Sequence, residues 1–417
     1  MRVRGLLLCG AIALLPFRAT AAEERGEIRE DGDAWIEVID QAIDVGRGGT
    51  LTLDASSGGI SVESWDKDGV RIRIEKGAQV YTEEEARRLL EACAIEVERQ
   101  GDDVEVTVKR PRRGARSLSV EIDVTVPRPY SVDVKTAGGG IDVGDLEGSV
   151  TAETGGGGID IGKIRNGSVS ARTRGGGVTI DSIENGNGHA TTRGGGIDVQ
   201  RVTGDLVVKT GGGSIDIGDV GGHLTANTGG GGISIESGGQ AVVVETGGGG
   251  IDIGTVTGPL KAHTGGGGID IKSAGETTYA ETGGGGVTVD GSRGPVKVQT
   301  GGGGITVENA RGSIEAETGG GGITAELVID DPEVDTHIDL DSGGGNLTLA
   351  LPANLQATID AELRLQHPNR RYEIHSDFDL EIGGDSDRRL TAKGAINGGG
   401  DLIRLRTTNG DITIERR

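Results

Sequence analysis

Between residues 136 and 324 the apolar positions return to one register. The first aliphatic residue after each glycine run is Ile141, Ile159, Val178, Ile197, Ile215, Ile233, Ile251, Ile269, Val287, Ile305 and Ile323. The steps are 18, 19, 19 and then 18 residues throughout, so eleven units stay in phase. Within a unit the alternation has the period of a strand. Val150, Ala152 and Thr154 face one way, and Ser149, Thr151 and Glu153 the other. After the glycines a second short strand follows, with Ile159 and Ile161 inward and Asp160 outward. The period of two and the glycine load exclude a helix. A chain that returns to register every 18 residues through short strands predicts an all-β, right-handed parallel β-solenoid. A left-handed hexapeptide helix would need an aliphatic residue every sixth position, which this pattern lacks.

Stacking such units places glycine on glycine at one corner. A corner that needs positive φ, or close backbone approach between coils, penalises a Cβ in every layer. The residue before each run is always threonine, from Thr136, Thr154 and Thr173 to Thr318. These threonines predict a ladder of methyls and hydroxyls running along the stack. A solenoid exposes strand edges at its ends and needs caps. Residues 22–135 read as a β-rich N-terminal cap, with one helix near 82–99 whose apolar face is Ala86, Leu89, Leu90, Cys93 and Val97. Residues 136–324 are the glycine-rich solenoid, and 325–417 a β-rich C-terminal cap.

Residues 1–21 read as a secretory signal: Arg2 and Arg4, an apolar core from Gly5 to Leu15, and Ala19-Thr20-Ala21 for cleavage. Leu8 precedes Cys9 where a lipoprotein would carry a small residue, so that alternative is rejected. The expectation is export to the periplasm, cell surface or medium, with no transmembrane segment after cleavage. Only Cys93 would then remain, a buried small hydrophobe without a disulfide partner. The net charge of −23 disfavours nucleic acid and anionic lipid as partners.

Candidate chemistry is sparse. Asp142, Asp160, Asp198, Asp216, Asp252 and Asp270 follow the corner isoleucine, and "GGGGID" matches the start of a calcium-binding nonapeptide. The other half of each unit lacks the motif, and the aspartate gives way to Thr179, Ser234, Thr288, Thr306 or Thr324. No cofactor is expected, beyond weak Ca²⁺ screening between neighbouring aspartates such as Asp252 and Asp270. His189, His223 and His263 fall in different columns on non-adjacent coils and read as solvated. Tyr279 is the only aromatic residue in the array, and nucleophile, metalloprotease and phosphate-loop motifs are missing. No catalytic, cofactor or metal residues are assigned. The outward column Lys135, Glu153, Arg172, Thr191, Lys209, Asn227, Glu245, His263, Glu281, Gln299, Glu317 is a mixed polar face, suited to cross-strand pairing or to partner recognition.

The order of "GGISVESW", "VRIRIEK", "EIDVTVPRPYSVDVKT", the repeats, "LTLALP" and a closing "LRTTNGDITI" resembles the DUF4097 family of adhesin-like β-strand repeat proteins of the bacterial envelope. The resemblance spans nearly the whole chain and implies a β-helical fold and an envelope location, with no catalytic residues to carry over. The expected function is therefore a non-enzymatic, exported, adhesin-like scaffold or binding protein. Its partner would be a surface glycan or envelope protein, and end-to-end self-association depends on the caps. The alternative is a β-helical polysaccharide lyase or hydrolase, favoured by an outward cluster of charged residues on adjacent coils beside a groove.

Overall fold

A computed structural model describes residues 24–111, 115–330, 334–366, 372–386 and 388–417. The signal-sequence expectation for 1–21 lies outside them. The described residues form a parallel β-solenoid of two sheets, each coil giving one strand to each. One sheet holds the strands that end in the ladder threonine, such as Val242–Thr246; the other holds those that follow the glycines, such as Ile251–Val256. We call them the threonine sheet and the aspartate sheet. Register follows the repeat: Ile251 pairs with Ile269, and Thr246 with Thr264. The core is a stack of aliphatic columns, with Val242, Val244, Ile251, Ile253 and Val256 each at most 2% exposed. Each such side chain contributes about 1.5–3 kcal/mol of burial.

The repeat glycines owe their place to close approach and not to positive φ. Of the third glycines in the runs, only Gly58, in a coil of the N-terminal region, has positive φ, at 130°. A Cβ on Gly249 would fall inside the carbonyl group of Gly231 in the preceding coil, and the same holds from Gly139 to Gly410. The second glycine is different: a Cβ on Gly248 would have its nearest neighbour, the Gly230 oxygen, 4.0 Å away. Thr246 Oγ1 donates to the Gly231 carbonyl at 2.7 Å and accepts from the Gly249 N–H at 3.3 Å. The ladder continues beyond the eleven units, with Thr136 on Gly58 at 2.9 Å, Ser342 on Gly321 at 2.8 Å and Thr407 on Gly345 at 2.6 Å.

Parallel stacking also runs into both terminal regions. Among the described residues it comprises sixteen layers, a stack about 70 Å long at about 4.8 Å per layer. The order at the ends is not sequential. The coil of Thr50–Ala55 and Gly59–Trp65 lies between that of Asp103–Lys109 and Leu118–Pro127 and that of Ser131–Thr136 and Ile141–Val143. At the other end, Asp401–Thr408 fits between Ile338–Ser342 and Ala357–Arg364. Antiparallel strands finish each end: Val70–Ala78 and Ala34–Ile43 on the aspartate sheet, Ala94–Gln100 on the threonine sheet, and Arg389–Ile396 with Glu381–Ser386 at the C-terminal end.

One expectation is corrected here: the helix, α1, spans Glu83–Glu91 rather than 82–99. Thr82 caps it by accepting from the Glu85 N–H. Beyond Cys93 the alternation of Ile95 and Val97 suits a strand, which pairs antiparallel with Asp103–Lys109. Ala86, Leu90 and Cys93 are buried as expected, and burial pushes the Cys93 thiol up. Beneath the helix, Lys76 Nζ meets Glu37 at 2.5 Å and donates to the Leu90 carbonyl at 2.9 Å near the helix end. This buried pair positions the cap on the last strands.

Glycine scanning separates the two roles in the run. Gly249→Ala should destabilise the protein by about 2 kcal/mol or more, whereas Gly248→Ala should change stability by less than about 1 kcal/mol. Denaturant midpoints of the two variants check this.

Candidate functional site

The aspartate sheet contains a feature that strict alternation does not describe. In Ile251–Val256 the buried residues are Ile251, Ile253 and Val256, so the inward spacing changes from two to three. The strand bends at Gly254, which the register skips while Thr255 and Val256 pair with Ser273 and Ala274. Repeated coil upon coil, the bend makes the outer surface concave. A groove of about 760 Å³ lies over the coils that begin at Ile159, Val178, Ile197, Ile215 and Ile233.

Two of these coils are the 19-residue ones. Their additional residues are Asn166 and Asn185, at φ 54° and 58°, a conformation asparagine tolerates. The two asparagines stack, with Asn185 Nδ2 donating to Asn166 Oδ1 at 3.1 Å.

The groove is lined by charges of both signs, most of them paired. Arg165 meets Glu184 at 3.1 Å, Arg201 meets Asp219 at 3.0 Å, and Lys163 stands 3.9 Å from Asp181. Ser237 Oγ also donates to Asp219 at 2.6 Å. Hydrogen bonds from Ser237 and Arg201 hold the Asp219 carboxyl below its ordinary range. Asp198 and Asp216 lie side by side in the groove, in register on adjacent coils. Chemically this is an open trough of carboxylates and guanidiniums.

The remaining aspartates are brought together in pairs: Asp142 with Asp160 and Asp252 with Asp270. Among the described residues no group of three or more His, Cys, Asp or Glu is arranged to hold a metal ion. The histidines stay apart. His189 lies 3.2 Å from the Thr191 hydroxyl, His263 lies 3.5 Å from Glu281, and His223 uses its backbone N–H to bond Asp205.

The mixed column on the threonine sheet is partly a hydrogen-bonded ladder. Asn227 donates to Glu245 at 3.2 Å, Tyr279 to Glu281 at 2.8 Å, and Gln299 to Glu317 at 3.1 Å. Sequence reasoning missed the groove. Its signal was present in the change from two-residue to three-residue spacing at Ile251, Ile253 and Val256, repeated in most units.

No family model and no curated protein matches the chain. Among solved structures, the chain is similar to a "putative cell adhesion protein" from Clostridium sporogenes, at 9% identity over 91% of this chain and 99% of that one, TM-score 0.16. A "putative adhesin" from Bacteroides fragilis aligns at 11% identity over 91% and 97%, TM-score 0.17. A "putative lipid binding protein" from Parabacteroides distasonis aligns at 12% identity over 75% and 96%, TM-score 0.20. Likeness at such TM-scores says nothing of what this chain does.

The groove's electrostatics can be tested at Asp219. A carboxyl with a depressed folded-state pKa contributes stability above its unfolded value, and that contribution is lost as pH falls through the folded value. An NMR titration should therefore place the Asp219 midpoint below that of an ordinary aspartate, and Ser237→Ala should move it up.

Proposed function

We propose that the protein is an exported, non-enzymatic, adhesin-like binding scaffold of the bacterial envelope. The observation that carries this reading is the predominantly polar exterior of a long, capped solenoid. The stack is stiff because every coil is bonded to its neighbours, and its two faces offer long polar columns and an open groove. Such faces suit extended partners, a surface glycan above all. Among the described residues, no helix is long and apolar enough to cross a membrane. The order of motifs that resembles the DUF4097 family supports the envelope location.

A β-helical polysaccharide-active enzyme is the second reading. It draws support from charged residues on adjacent coils in the groove, with Asp198 and Asp216 as neighbouring carboxylates. Against it, the groove is made by the repeats themselves, and its basic residues are engaged with carboxylates, leaving none set against a reacting group.

Glycan-array and cell-surface binding by the purified protein, run beside turnover assays on acidic polysaccharides, decides between them. Specific binding without turnover is the expected result. Turnover abolished by Asp198→Asn or Asp216→Asn would establish the enzyme instead.

A further inference from the structure

One corner of the rod departs from the acidic character of the rest. The residue after the ladder threonine is glycine at most corners, but it is Arg174 and Arg193 on two adjacent coils. Arg172 and Lys209 stand on the same side of these coils, in one outward column with Thr191 between them. All four cations are exposed. None forms an ion pair or side-chain hydrogen bond among the described residues, although the chain carries 65 acidic residues against 42 basic ones. Even Glu153, in register with Arg172, does not pair with it. Like charges one strand spacing apart, about 4.8 Å, oppose stacking.

The backbone at this corner is also open. At eight corners, from Gly155 to Gly343, the N–H after the ladder residue donates to the threonine carbonyl of the preceding coil at 2.9–3.2 Å. That bond is missing at Arg174, Arg193 and Gly211, whose N–H groups have no partner among the described residues. Three consecutive coils thus lack this corner bond beside four cations that form no ion pair. The half-buried His189 lies in the same field: its burial, then Arg172 and Lys209, hold it below the ordinary histidine range.

We infer that the Arg172, Arg174, Arg193 and Lys209 corner is a binding site for the carboxylates of an acidic polysaccharide. This rests on the adhesin-like reading and supplies its ligand class and contact site. Guanidinium forks match carboxylate geometry, and their rise of one strand spacing per coil suits oxyanions repeated along a polymer. The shape of the patch selects a single chain. Glu153 on one side, Glu245 on the other, and Asp198 and Asp216 across the glycines confine it to a narrow strip, which a planar anionic membrane cannot approach without meeting those carboxylates. Single-stranded nucleic acid binds best where bases can stack on aromatic side chains, and the array's one aromatic, Tyr279, lies coils away.

The test is the affinity of the whole protein for polygalacturonate, with neutral dextran, single-stranded DNA and anionic phospholipid vesicles as comparisons. The double variant R174G/R193G restores the residue found at the other corners, so it should melt no lower than the parent. It should bind polygalacturonate about tenfold more weakly. Binding by the parent should weaken as salt is raised and should be undetectable with dextran. Equal affinity of parent and variant, no binding of polygalacturonate, or preference for DNA or vesicles would overturn the site. Equal affinity without turnover would leave the adhesin-like reading in place. Turnover of the polymer, with binding still dependent on the two arginines, would keep the site and remove the non-enzymatic reading.

Discussion

Each coil is locked to the one before it by a threonine hydroxyl seated under a glycine carbonyl. The hydroxyl donates to the carbonyl of the third glycine one layer back and accepts from the third glycine N–H of its own layer. The later glycine then lies too close to the carbonyl of the one a layer back to carry a Cβ. That single junction sets the rise per coil, the direction of the corner and the inward register of the strands on both sides. The aliphatic core can be thin, and nearly free of aromatics, because a directional bond recurs in every layer beside it. Ser342 and Thr407 show that the junction outlasts the regular repeat: a hydroxyl and a glycine persist where the 18-residue spacing does not.

The ends solve a different problem. A stack of identical coils frays from its termini, because the last coil has one neighbour. Here a coil near each end is inserted between two others that are distant from it in sequence. Fraying one coil then requires parting two interfaces. Antiparallel strands beyond them cover the remaining edges, and at the N-terminal end the buried Lys76–Glu37 pair ties the strands to the helix. The exterior is left free to vary, since side chains there meet water or the next layer. The groove and the arginine corner are both such variations, and both coincide with the two 19-residue coils.

The repeat, its strands and the inward columns were legible because periodicity states them directly: Val150, Ala152 and Thr154 are buried in the alternation their spacing implies. The ladder was legible for the same reason, but its partner was not, since a carbonyl acceptor leaves no mark in a sequence. Helix α1 is shorter than its spacing implies because Cys93 and Val97 continue a helical spacing while Ile95 and Val97 also satisfy a strand, and only the pairing with Asp103–Lys109 decides. The order of coils at the ends was illegible, because strands there carry no register signal beyond alternation. Of the groove, its charges were visible singly, but their convergence needed the bend. Arg174 and Arg193 were visible as departures from the glycine run, yet their lack of partners is a property of the folded surface alone.

The threonine junction is tested most directly by comparing Thr246→Val with Thr246→Ser in the centre of the stack. Valine preserves the shape but leaves the Gly231 carbonyl and the Gly249 N–H without the hydroxyl, whereas serine keeps it. Thermal unfolding of the two variants should show the valine protein less stable than the parent by about 1–3 kcal/mol, with the serine protein much closer to the parent. A valine variant as stable as the parent, or more stable than the serine variant, would contradict the account and place the stability of the rod in its aliphatic core alone.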